Sequence, residues 1–107
     1  MTYFGHAGHP AELVFYLLDG DAHSRQMMAV WSDFLRRNSG SGSGYLRDIG
    51  VDWRKTEASE ARDEINKLGI NGFPALVLLD GNGDKIERYQ GERTADGFRS
   101  FLEKYAE

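Results

Sequence analysis

The sequence contains no cysteine. That absence removes disulfide bridges, thiolate nucleophiles and thiolate metal ligands together, and it leaves the composition silent on redox compartment. Long apolar runs are missing too, since none approaches the roughly 18 residues that a membrane-spanning helix needs. Residues 1–10, MTYFGHAGHP, lack a basic start followed by an apolar stretch, so neither a signal peptide nor an anchor is expected. The chain reads as soluble and intracellular, with the compartment unknown. An excess of positive charge is also lacking: the formal net charge is −4, and basic residues alternate with acids in RKTEASEARDEINK. Nucleic-acid binding is disfavoured on that ground.

What is present suits one packed domain over residues 1–107. Forty per cent of the residues are hydrophobic, with two Trp, five Tyr and six Phe, enough for a single core at this length. Residues 1–10 read as an arm leading into the first strand. ELVFYLLD (Glu12–Asp19) is a short, nearly continuous apolar run, as expected of a strand covered on both faces. From Ala22 to Asn38, Met27, Trp31, Phe34 and Leu35 recur at helical spacing, and Arg36 and Arg37 suit the last turn.

SGSGSG (Ser39–Gly44) is low in complexity and reads as a flexible connector. YLRDIGVDW (Tyr45–Trp53) is expected to be the second strand, with Gly50 at a bulge. Thr56–Leu68 is expected to be a second helix, carrying Ala58, Ala61, Ile65 and Leu68 on one face and Gly69 as its C-terminal cap. ALVLLD and KIERYQ flank GNGD and predict an antiparallel hairpin. Thr94 can then N-cap a last helix whose stripe is Phe98, Phe101, Leu102 and Tyr105. The element order is β-α-β-α-β-β-α. Two strands joined through a helix should lie parallel.

That order, together with NGFPALVLLDGNG and YQGERTADGFRSFLEKY, resembles the thioredoxin superfamily and most closely the domains of protein disulfide isomerases. The resemblance runs from Glu12 to Tyr105. It implies an α/β fold, a three-layer sandwich on a mixed sheet with a C-terminal antiparallel hairpin, and a cis bond between Phe73 and Pro74. Where the family carries Trp-Cys-x-x-Cys, this chain has Gly20 followed by Asp21, Ala22, His23 and Ser24, with Arg25 after them. Both thiols are replaced. Val14 stands where the family usually keeps a buried acid.

Disulfide exchange needs a thiolate, so that reaction is closed to this chain and no enzymatic activity is expected. Asp21 suits the helix N-terminus as a cap. Asp, His and Ser also make up a catalytic triad, but His23 and Ser24 are adjacent on a helix and diverge by about 100° around its axis. His23 reads as a solvated imidazole. His6, His9, Asp19, Asp21 and His23 show no recognised metal-ligand spacing, GNGD is explained by a turn, and no metal or cofactor is expected.

The resemblance further implies a groove for extended polypeptides, lined here by Gly20, Phe73, Pro74 and the loop at Gly91. Two readings of that groove stay open: it holds a peptide or protein partner without catalysis, or it is vacant. The first reading of function is therefore a redox-inactive thioredoxin-like domain, expected to be monomeric, acting as a binding or scaffold module. The alternative is an engineered, cysteine-free version of a thiol-disulfide oxidoreductase, which the Ser-Gly repeat fits. A third is a spacer within a larger assembly.

Overall fold

A computed structural model describes residues 9–38, 46 and 49–105. The arm before His9 and the Ser-Gly repeat lie outside the described residues. Strand β1 (Pro10–Leu17) runs through the middle of a four-stranded sheet of order β2-β1-β3-β4. Its neighbours are β2 (Asp52–Glu57), which is parallel to it, and β3 (Ala75–Asp80), which is antiparallel. Strand β4 (Lys85–Arg88) completes the hairpin on β3.

Alternation along the central strands sorts the core into two layers. Leu13, Phe15 and Leu17 of β1 and Leu76 and Leu78 of β3 face helix α1 (Ala22–Asn38) and helix α3 (Ala95–Glu103). Val14 and Tyr16 of β1 and Ala75, Val77 and Leu79 of β3 face helix α2 (Arg62–Leu68). Every residue of β3 is buried. Coverage on both faces explains why these strands read as apolar runs.

Helix α1 has the predicted bounds and buries Met27, Trp31 and Phe34. Tilted and edge-on ring contacts link β1 through both helices to Tyr89, just past β4: Phe15 to Trp31 at 5.5 Å, Phe34 to Phe98 at 5.6 Å and Tyr89 to Phe98 at 5.3 Å between centroids. Thr94 caps α3 by accepting the Gly97 N–H at 2.9 Å, and Gly69 closes α2 in a left-handed conformation.

Three sequence expectations need correction. The second strand is not Tyr45–Trp53 but Asp52–Glu57. Leu46 is helical, Gly50 sits in a turn with φ +76° rather than at a bulge, and the Val51 N–H donates to the Leu46 carbonyl. The apolar side chains of that stretch, Leu46 and Val51, plug the α1–α3 layer, so their hydrophobicity reports burial rather than strand pairing.

The second helix does not start at Thr56, which still pairs with Tyr16 inside β2. A 3₁₀ turn covers Ala58–Ala61 before α2 begins at Arg62. The expected face survives, because Ala61, Ile65 and Leu68 are buried and Ala58 packs against them. Third, Pro10 belongs to β1 rather than to the arm before it, while at the other end of the chain Tyr105 packs on Phe101 from a turn beyond the end of α3.

The GNGD hairpin is organised by buried Asp80. Its Oδ1 accepts the N–H groups of Asn82 (2.9 Å) and Asp84 (3.0 Å), which accounts for the turn without a bound cation.

Beneath β2, Arg54 is shared by two acids. Its guanidinium donates to Glu12 at 3.1 Å and to Glu64 at 2.8 Å, while the Tyr16 hydroxyl donates to Glu64. Burial pushes the Glu64 carboxyl up, but the hydrogen bonds from Arg54 and Tyr16 and the nearby Arg54 and Lys67 charges outweigh it and hold the group below its ordinary value. A depressed carboxyl stabilises the fold above its unfolded-state pKa, and that contribution is lost as pH falls through the folded value.

Urea unfolding of Glu64→Gln should therefore show a flatter loss of stability than the parent as pH falls below about 4.5, the ordinary glutamate value. Parallel curves would contradict this. Arg54→Ala strands two partly buried acids, a case between a surface pair and a buried one, and should cost about 1–2 kcal/mol at neutral pH. A loss within a few tenths of the parent would show that the triad is decorative.

Candidate functional site

The pairing of Tyr16 with Ala75 sets the chain that leaves β1 beside the chain that enters β3. The β1–α1 junction and the Phe73–Pro74 loop thus meet at one end of the sheet. The Phe73–Pro74 bond is cis.

At the junction a tight turn runs from Leu18 to Asp21. The Asp21 N–H donates to the Leu18 carbonyl at 3.1 Å, and Gly20 takes φ +82°. That φ lies in the left-handed region, so a tryptophan in place of Gly20 would strain the backbone of this turn. Asp21 caps α1: its Oδ2 accepts the Ser24 N–H at 2.9 Å, and its carbonyl accepts the Arg25 N–H at 3.0 Å.

Ser24 is 1 % exposed, and its Oγ accepts the Leu18 N–H at 3.0 Å. Ser24 is thus a buried tie between helix and strand. Ala22 and His23 are exposed. Asp21 and Ser24 are joined through backbone and cap hydrogen bonds, with no imidazole between them, so the Asp-His-Ser trio does not form a relay. Among the described residues, no three acids or histidines gather as metal ligands. Val14 is fully buried in one apolar cluster with Ile65, Ala75 and Val77.

On the other side of the sheet end, Pro74 is buried and Phe73 is half-buried against the α2 layer. Arg88, at the end of β4, reaches under this loop. Its guanidinium donates to the carbonyls of Asn71 (2.6 Å), Gly72 (3.3 Å) and Pro74 (3.4 Å). The Phe73 carbonyl is skipped, and among the described residues neither it nor the Phe73 N–H has a partner. Leu18, beside this loop by register, is 45 % exposed.

A pocket of about 250 Å³ adjoins the loop, walled by Met27, Pro74, Leu76, Arg88, Tyr89 and Arg93 together with Gln90 and Gly91. It brings together Pro74 and Gly91 of the expected groove; Gly20 and Phe73 are not on its wall. Gly91 is needed for a close approach, since a Cβ there would stand 2.6 Å from the Tyr89 hydroxyl. Burial, aided by the Glu92 charge, raises the Tyr89 phenol above its ordinary value, so it stays a neutral donor to the Glu92 carbonyl. Sequence reading missed Arg88 and Arg93. Arg88 lies inside a strand run whose alternation signals pairing, and nothing local reports that its side chain crosses to another loop.

Comparison with known proteins accords with this geometry. The thioredoxin-like domain family matches residues 8–106. Protein disulfide-isomerase tigA of Aspergillus niger is 31 % identical over 96 residues, which are 90 % of this chain and 25 % of that protein. The chain therefore spans about a quarter of that relative's length. Among solved structures, the first two thioredoxin domains of Naumovozyma dairenensis Eps1p superpose with a TM-score of 0.74 at 18 % identity, covering 96 % of this chain and 37 % of that one. Human ERp44 in its zinc-bound form gives 0.71 at 14 % identity, covering 92 % and 28 %. These two likenesses concern the fold. No helix among the described residues is long and apolar enough to cross a membrane. On the sequence match and the shared architecture together, the chain belongs to the thioredoxin-like domain family, as a member that carries no cysteine.

Proposed function

We propose that this domain binds an extended segment of polypeptide reversibly, with no covalent step. The observation that carries this reading is the Phe73 peptide group. Its N–H and C=O have no partner among the described residues, while Arg88 fixes the carbonyls on either side. An unpaired donor and acceptor on a rigid loop are what an added strand pairs with, and main-chain pairing needs no thiol. Exposed Leu18 offers an apolar contact along the same edge. The name of the Aspergillus relative describes action on disulfides. In this chain a carboxylate and a buried hydroxyl stand in the two thiol positions, so the binding half of such an activity is the half its groups can perform.

A second reading, a redesigned cysteine-free oxidoreductase, is favoured by the Ser39–Gly44 repeat and the total lack of cysteine. The two readings part in one assay. In dithiothreitol-driven insulin reduction the parent chain should give only the background rate. Turnover by an Asp21→Cys, Ser24→Cys variant would favour the second reading, and a folded but inert variant the first.

For the first reading, a fluorescently labelled, thiol-blocked unfolded polypeptide should bind saturably, with the same affinity in the presence and absence of dithiothreitol. No saturable binding would overturn it. Asp21→Ala should cost about 1 kcal/mol through loss of the helix cap, measured by urea unfolding, and leave that binding in place.

A further inference from the structure

Arg93 lies in the loop before α3, is exposed, and makes no ion pair or hydrogen bond among the described residues. It shares the wall of the pocket beside Pro74 with Arg88. Arg88 spends three guanidinium contacts on loop carbonyls, whereas Arg93 keeps its whole fork of donors. No acidic residue lines this pocket. Neighbouring pockets do carry acids: Glu92 borders one against α3 with Gly97 and Lys104, and Asp33 and Asp96 share another with Arg93 itself. Met27 and Leu76 border the pocket from the core but are almost fully buried, so the accessible wall is mainly polar.

At about 250 Å³ the pocket falls below the roughly 300–1,000 Å³ of small-molecule clefts. Its size suits one side chain of a bound segment rather than a cofactor. The chain as a whole is acidic, with net charge −4, so a positive pocket free of acids is a local feature and not a reflection of overall composition.

Building on the reading that an extended segment pairs along Phe73, we infer that the pocket receives an acidic side chain of that segment, a glutamate or aspartate held by Arg93, so that the domain selects acidic extended peptides. Charge-assisted contacts between guanidinium and carboxylate give both direction and affinity.

The test is an array of randomised peptides with one fixed central residue, Glu in one set and Gln in the other. It is probed with the full chain and with Arg93→Gln and Arg93→Glu variants at about 0.1 M salt, where fields beyond about 10 Å are screened. The parent should retain on the Glu set an amount on the order of fivefold above the Gln set, a modest factor because the site is open to solvent. The preference should vanish in Arg93→Gln, and Arg93→Glu should retain less on the Glu set than on the Gln set. Circular dichroism checks that the variants are folded, as expected for an exposed position. Equal retention on both sets by the parent, or a Glu preference that survives in Arg93→Glu, overturns the selectivity while leaving peptide binding intact. No retention on either set overturns the selectivity and the binding reading together.

Discussion

The Ser24 hydroxyl accepts the Leu18 N–H from inside the fold, and Asp21 accepts the Ser24 N–H while donating its own to Leu18. This closed set of three hydrogen bonds fixes how the central strand turns into the longest helix. The direction of α1, and with it the seating of Met27, Trp31 and Phe34 on the sheet, follows from that turn. At this corner the buried serine oxygen supplies the partner for the Leu18 N–H, and the N–H in turn satisfies the serine. Asp21 and Ser24 together form the polar joint of this corner of the scaffold.

The opposite half of the site rests on a different tie. Arg88 reaches from β4 to three carbonyls around the cis peptide, and so locks the loop from below while its upper edge stays open. A rigid loop with one unpaired peptide group pays little ordering entropy on binding, which is the condition for a weak main-chain contact to hold a partner. The proposed strand pairing needs no thiol, because the Phe73 N–H and carbonyl belong to neither Asp21 nor Ser24.

Much of this was legible in the sequence, for physical reasons that differ from element to element. Helix α1 could be bounded by its apolar spacing and by an aspartate before it, because helix period and cap chemistry are local. The cis proline came from family likeness, since a proline at the start of a strand gives no local sign of its isomer. Strand β2 was misplaced because DWRKTE is rich in charge. Its polar side chains are consumed by the Arg54 network and by partial exposure, while Leu46 and Val51 before it fill the core. Arg88 and Arg93 were invisible as site residues, because their roles depend on contacts across 14 or more residues of chain in one case and on the absence of any partner in the other. Ser24 was read as a vacant thiol position. Only its burial identifies it as a structural tie.

The Phe73 N–H and carbonyl are the proposed point of attachment. Amide hydrogen exchange measured residue by residue, with and without a saturating thiol-blocked unfolded polypeptide, tests it most directly. The Phe73 N–H, free to exchange in the unliganded domain, should become protected on binding. Protection confined to other surfaces, with Phe73 exchanging as fast as before, would contradict it.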